Sequence, residues 1–261
     1  MANVKRWTQS GSDGVLVYAL SAWKHFAPFV NQVLLDYGGY IYRGQAAADW
    51  KLEPTLDRLL RKLGKQNTPA TRNRHLERFK MAARGRRGPN PPRIESENDW
   101  WALGQHHGLS TPLLDWTSSP FVAAYFAFAE PESDGSPRRA IWALHQGETR
   151  KKSKELQEGA TQAGRPPVVG FVSPMLDENA RLVSQGGLFT RAPDDTDIEA
   201  WVRKNFAKSK QGALLKITIP NKDRELALRN LNRMNINHLS LFPDLYGASR
   251  YCNLDLLIPG Y

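Results

Sequence analysis

The segment Pro120–Ala129 (Pro-Phe-Val-Ala-Ala-Tyr-Phe-Ala-Phe-Ala) constrains the fold most, because ten consecutive residues carry no charge and a single hydroxyl. Ser119 is a natural N-cap before it, and Pro120 suits a first helical turn, where no backbone donor is needed. A helix apolar on every side has no face to give to water, so it is expected to be buried. A chain of 261 residues can supply the cover, with 41% hydrophobic and 24% charged residues, an ordinary globular balance. Eight tryptophans and eight tyrosines point to a core or cleft with flat aromatic walls.

Around that helix the pattern alternates between periods. Leu16, Leu20, Trp23, Ala27, Val30, Val33 and Leu34 recur at helical spacing, so Gly14–Tyr37 reads as a helix kinked at Pro28 and stopped by Gly38-Gly39. Tyr40-Ile41-Tyr42 reads as a short strand delivering Arg43-Gly44 at its end. A basic helix with Leu56, Leu59 and Leu60 follows Glu53-Pro54-Thr55, and a Gly/Pro-punctuated loop spans Gly85–Pro92. Glu95–His107 reads as a helix ended by Gly108, and Asp223–Asn235 as an amphipathic one. Strands are expected at Ala140–Leu144, Val168–Val172 and Leu214–Ile219. Gln146–Arg165 reads as a mobile loop or an exposed helix, and Leu239–Pro243 leads into a tail. No repeat or clean boundary appears, so one α+β domain over 1–261 is expected, with 58–93 a candidate basic insertion.

The net charge of +10 is concentrated there. Between Arg58 and Arg93 twelve Lys and Arg residues face only Glu77 before the run ends. Such a field concentrates phosphate polyanions, so RNA or DNA is an expected partner, held by Arg72, Arg74, Arg78, Lys80, Arg84, Arg86 and Arg87. A solvated face, or a patch answered by an acidic partner protein, would look the same in sequence. The lone Cys252 excludes an intramolecular disulfide and a thiolate metal site. Residues 1–12 are polar without an apolar signal core, and no run approaches the roughly 20 apolar residues of a membrane span. A cytoplasmic chain without membrane contact is expected.

Two segments concentrate chemistry. In Tyr42-Arg43-Gly44-Gln45 a guanidinium stands beside a glycine that lets a ligand approach the backbone, which suits a phosphate or carboxylate; a structural ion pair is the alternative. Gln105–Ser119 holds two imidazoles, one carboxylate and five hydroxyls. His106 and His107 are adjacent, so on a helix they diverge by about 100° and cannot share an ion; no metal is expected. The Ser/His/Asp inventory lacks a G-x-S-x-G elbow.

Tyr42-Arg43-Gly44-Gln45, Trp50-Lys51-Leu52-Glu53-Pro54, Gln105-His106-His107-Gly108 and Leu113-Leu114-Asp115-Trp116-Thr117 with the aromatic helix after it resemble, in that order, the FRG domain family. Gln185–Thr190 and Leu241–Gly247 fit as well, so the resemblance runs over roughly residues 35–250. A second resemblance concerns Arg43 at a strand end, then Thr117-Ser118-Ser119 before an alanine-rich helix. This is similar to the arginine and STS motifs of ADP-ribosyltransferases, which split the nicotinamide–ribose bond of NAD. It implies a central mixed or antiparallel sheet split around a cleft and flanked by helices, with NAD as co-substrate. Arg43 would grip the diphosphate, with Gly44 and Gln45 beside it, and Thr117 and Ser118 would brace the arginine and the ribose. Tyr42, Trp116 or Phe189 would stack on nicotinamide, and His106 or His107 would meet a ribose hydroxyl.

Cleavage through an oxocarbenium-like state calls for a carboxylate. Where that superfamily places a glutamate this chain has Gln185, leaving Asp115, Glu178 and Glu199 as candidates, with Asp115 nearest the other motif residues. The expected function is an NAD-dependent ADP-ribosyltransferase, a toxin or anti-phage defence effector acting on nucleic acid and neutralised by an acidic antitoxin. A non-enzymatic nucleotide-binding module and an NAD-independent ribonuclease using His106 or His107 stay open beside it.

Overall fold

The computed structural model describes residues 5–130, 135–159, 167–173 and 184–261. Eight strands form one mixed sheet: β1 (Trp7–Ser12), β2 (Val15–Leu20), β3 (Tyr40–Gln45), β4 (Leu113–Thr117), β5 (Arg138–His145), β6 (Gly170–Val172), β7 (Gly187–Arg191) and β8 (Leu214–Pro220). Their order across the sheet is β1-β2-β8-β5-β3-β4-β7-β6, and only β2 and β8 run parallel. The central β5 is buried on both faces, as its unbroken Ala140–Leu144 run requires. Ile141 and Ala143 enter one core, while Ala140, Trp142 and Leu144 enter the other.

Pro120–Ala129 is the expected helix, with the Ser119 hydroxyl accepting from the Val122 amide at 3.3 Å. It crosses β3 and β5 and shares the larger core with Phe26, Phe29, Ile217 and Leu228. Its C-terminal carbonyls are pinned by two arginines from elsewhere in the chain. Arg139, 1% exposed, donates to the carbonyls of Ala127 and Glu130, and Arg224 donates to those of Phe128, Ala129 and Glu130. Cations there answer the unpaired carbonyls and the negative end of the helix.

The expected helix over Gly14–Tyr37 is corrected. Val15–Leu20 is a strand, paired with β1 on one side and with Leu214–Thr218 of β8 on the other. Residues four apart share a face in a strand as well as in a helix, and the distant pairing decides. Only Trp23–Leu34 is helical, as a 3-10 turn, one α turn through Pro28 and a wider π turn.

The basic region forms helices Thr55–Lys62 and Pro69–Ala82, whose Leu56, Leu60 and Leu76 share a third core with Trp101, Leu113 and Phe189. It is tied to β4 and β7 rather than standing apart. Gln146–Glu158 is a helix, and the tail after Leu239 contains the helix Leu245–Leu257, capped by the Asp244 carboxylate, which accepts from the Gly247 amide at 3.0 Å. Among the described residues no helix is long and apolar enough to cross a membrane.

Candidate functional site

The sheet is nearly interrupted between β3 and β4, which pair at one position only, Tyr42↔Thr117. The Arg43 side chain spans the gap. Its Nη1 donates to the Asp115 backbone carbonyl at 2.9 Å and lies 3.4 Å from the Asp115 carboxylate. Nε and Nη2 have no hydrogen-bond partner among the described residues, and Nε is buried. Burial pushes the Arg43 pKa below the usual arginine range; Asp115 opposes this, and nearby Arg58 adds to it. The side chain stays a cation with unused donors.

Beside it lies a cleft of about 370 Å³ bordered by Tyr42, Arg43, Gly44, His106, Asp115, Trp116, Thr117, Gln185 and Phe189. Nine of the residues expected from sequence are thus gathered in one place. Asp115 is the only carboxylate among the described residues that border it, and its side chain is 61% exposed. The Tyr42 hydroxyl also lacks a partner among the described residues, although the residue is 6% exposed.

Several of these residues do other work than their motif suggests. Gly44 is small because the helix above it leaves no room: a Cβ there would stand 2.0 Å from the Ala123 carbonyl and 2.5 Å from the Ala127 nitrogen. The close approach is by the protein's own backbone. The Trp116 indole is turned into the core and donates to the Thr190 hydroxyl at 2.8 Å, so it does not face the cleft to stack. Thr117 is committed as well, donating to the Gln185 carbonyl at 2.6 Å and accepting from the Ser119 amide at 3.1 Å. It braces the turn into the helix, not Arg43.

Three expected residues lie outside the cleft. Gln45 is buried, accepting from the Trp142 indole at 2.7 Å and donating to the Lys51 carbonyl at 3.0 Å. Ser118 is exposed, and its amide donates to the Gly186 carbonyl at 3.0 Å. His107 is exposed at the end of the Glu97–His106 helix and borders a separate pocket with Phe79 and Arg86. Of the alternative carboxylates, Glu199 is paired with Arg203 at 2.7 Å away from the cleft, and Glu178 lies outside the described residues.

Gln105, Phe126 and Phe242 complete the lining. Gln105 belongs to the quoted Gln105-His106-His107-Gly108 motif and accepts the Thr111 hydroxyl. Phe126 meets Phe242 edge-on at 6.0 Å, and Phe242 stacks on His238 at 5.1 Å. The Tyr125 hydroxyl bonds His238 Nδ1, and Gln185 donates to the Leu241 carbonyl at 3.2 Å, so the 238–242 segment is fastened to the cleft. The Leu241–Gly247 motif hinted at Phe242, but only the tertiary packing assigns it a wall.

The basic set divides. Arg72 is corrected: it is 3% exposed, bonded to Asp57 at 3.0 and 3.2 Å and to Asp194 at 2.6 Å, and so is withdrawn from any polyanion. Arg74, Arg78, Arg84 and Arg86 are exposed. Lys80 pairs with Glu77 at 2.7 Å, while Arg87 donates to the Pro92 carbonyl and lies over the Trp100 ring at 5.3 Å. Among the described residues no three His, Cys, Asp or Glu side chains gather where a metal ion could be held.

Residues 38–136, fewer than half of the chain, match the FRG domain family. The span holds β3 with Arg43, the Gln105–Gly108 motif, β4 and the buried helix, each of which contributes lining residues to the cleft. No curated protein and no solved structure matches the chain.

Proposed function

We propose that the cleft binds NAD and that the chain is an ADP-ribosyltransferase acting on nucleic acid. The observation that carries this reading is Arg43, a cation at the cleft with two nitrogens unbonded among the described residues. An NAD diphosphate taking those donors would form charge-assisted bonds and compete with Asp115 for the guanidinium. Released from its pairing at 3.4 Å, the Asp115 carboxylate would stand ready to stabilise positive charge on the ribose. Phe126, Phe189 and Phe242 supply apolar walls for the nicotinamide. In the step itself the C1′–N bond breaks, nicotinamide leaves with the electron pair, and the acceptor atom bonds C1′ as its proton is lost. The exposed Arg74, Arg78, Arg84 and Arg86 would hold the acceptor by its phosphates, and an acidic neutralising protein would cover the same face, as suits a toxin or defence effector.

A second reading, a nucleotide-binding module without turnover, is favoured by one fact: Asp115, the only carboxylate lining the described cleft, is already engaged by Arg43. The ribonuclease reading keeps His106 alone at the cleft. Incubation with labelled NAD, RNA, DNA and cell lysate separates the three. Transfer of label with nicotinamide release is expected, falling about a hundredfold or more in Arg43→Ala and in Asp115→Asn. Saturable NAD binding without nicotinamide release would establish the module instead, and RNA cleavage without NAD the nuclease.

A further inference from the structure

A second cavity, of about 680 Å³, opens where β1, β2 and the start of β3 meet the 206–213 loop. It shares no lining residue with the Arg43 cleft. Six rings border it: Trp7, Tyr18, Tyr37, Tyr40, His145 and Phe206. Two of them are locked by the fold. The Tyr40 hydroxyl donates to the Gly212 carbonyl at 2.6 Å, and its ring meets His145 edge-on at 4.9 Å. His145 Nδ1 accepts the Glu148 amide at 3.2 Å, which leaves Nε2 as the ring's donor.

Tyr18 is the telling residue. It is 7% exposed and held edge-on against Phe29 at 4.9 Å, yet its hydroxyl has no hydrogen-bond partner among the described residues. Burial, with Tyr37 adding to it, pushes its pKa up, so the group is a protonated donor. The hydroxyl is not sealed in the core, since it keeps contact with solvent at the cavity, and the ring packing against Phe29 holds it there as a donor for whatever enters. Tyr37 lies at the mouth, 64% exposed, with its own hydroxyl also uncommitted among the described residues. Gln9 and Gln32 offer amides on the rim, and the charged lining residues, Lys210 and Glu148, offset each other.

We propose that this cavity binds a neutral, planar heteroaromatic ring of the nucleobase type. The faces of Tyr37 and Trp7 take the ring by stacking, Tyr18 donates to an acceptor on its edge, and the glutamine amides read the remaining polar edge. The charge balance of the lining disfavours a ligand that depends on phosphate for its grip. A base on a free nucleoside and a base in a single strand present the same edge. Binding in this cavity does not depend on ADP-ribosyl transfer at the Arg43 cleft, with which it shares no lining residue.

The test is titration of the full chain with adenosine, guanosine, cytidine and uridine, and separately with a short single-stranded oligonucleotide. Binding is read from the Trp7 indole resonance, identified by its loss in Trp7→Phe. Saturation by a nucleoside is expected if the base arrives free, and by the oligonucleotide alone if it arrives in a strand. Affinity should fall about fivefold in Tyr18→Phe and about tenfold in Tyr37→Ala, and stay unchanged in Arg43→Ala. Saturation by no probe overturns the proposal. So does a Kd indifferent to both tyrosine substitutions, or binding abolished only in Arg43→Ala, which would put the ligand in the other cleft. Melting temperatures near that of the parent tie the weaker binding to the site; should Tyr18→Phe fail to fold, the surface variant Tyr37→Ala decides.

Discussion

Arg72 meets two carboxylates with almost no exposure, while Arg43 meets one and keeps two nitrogens unbonded among the described residues. The same side chain is a structural tie in one place and a cation with donors to spare in the other. Removing Arg72 would strand Asp57, 6% exposed, without its counter-charge. Arg72→Ala is expected to cost about 3 kcal/mol or more in urea unfolding, without changing how nucleic-acid affinity depends on salt. The double variant Arg74→Ala, Arg78→Ala should do the reverse. Its stability should stay near the parent's, and the slope of log K against log salt should become shallower by about 2, one for each phosphate no longer neutralised. A list of cations cannot make this division. Asp57 stands 15 residues before Arg72 and Asp194 far beyond it, so the tie exists only once the basic helix is docked.

At the scale of the element, the start of the Pro120–Ala129 helix was legible and its end was not. Ser119 and Pro120 are local signals, whereas the C-terminal carbonyls are capped by Arg139 and Arg224, drawn from a strand and from a later helix. Arg139→Met removes the cation and takes its donor from the buried Ala127 carbonyl, so a loss of about 3 kcal/mol in denaturant unfolding is expected. Because Gly44 lies beneath Ala123 and Ala127, slackening this helix should also loosen the cleft. The site residues are legible as motifs with the same limit. Tyr42, Arg43, His106, Asp115, Gln185 and Phe189 do converge, but which of them face the cleft depends on strand alternation and the gap between β3 and β4. Asp115 and Trp116 are neighbours in sequence, and the pleat sends one outward and the other into the core.

For the molecule as a whole, one buried imidazole sets a pH response. Burial, helped by Arg250, holds His238 at about 4, below its ordinary value of 6.5, while Glu130 pulls slightly the other way. The unfolded chain therefore takes up a proton between pH 6.5 and about 4 that the folded one refuses, and stability falls as pH drops through that window. His238→Gln lacks this uptake, so its unfolding midpoint should vary less over the same range. Melting curves at stepped pH would show it; equal slopes in parent and variant would assign the response to other groups. The α+β class with a sheet flanked by helices was legible in the sequence. The sheet's order was not, since nothing local to Val15–Leu20 announces a partner near the other end of the chain.

That partner has a consequence in time. β8 lies between β2 and β5, so during synthesis the first hairpin leaves the ribosome roughly 200 residues before the strand that joins it to the rest. Until then the Val15–Leu20 edge, which carries Val15, Tyr18 and Leu20 for the core, is open to any passing strand. Of the described strand pairs this one has the longest wait, and a chaperone that kept the hairpin apart from other chains would shield the edge in the meantime.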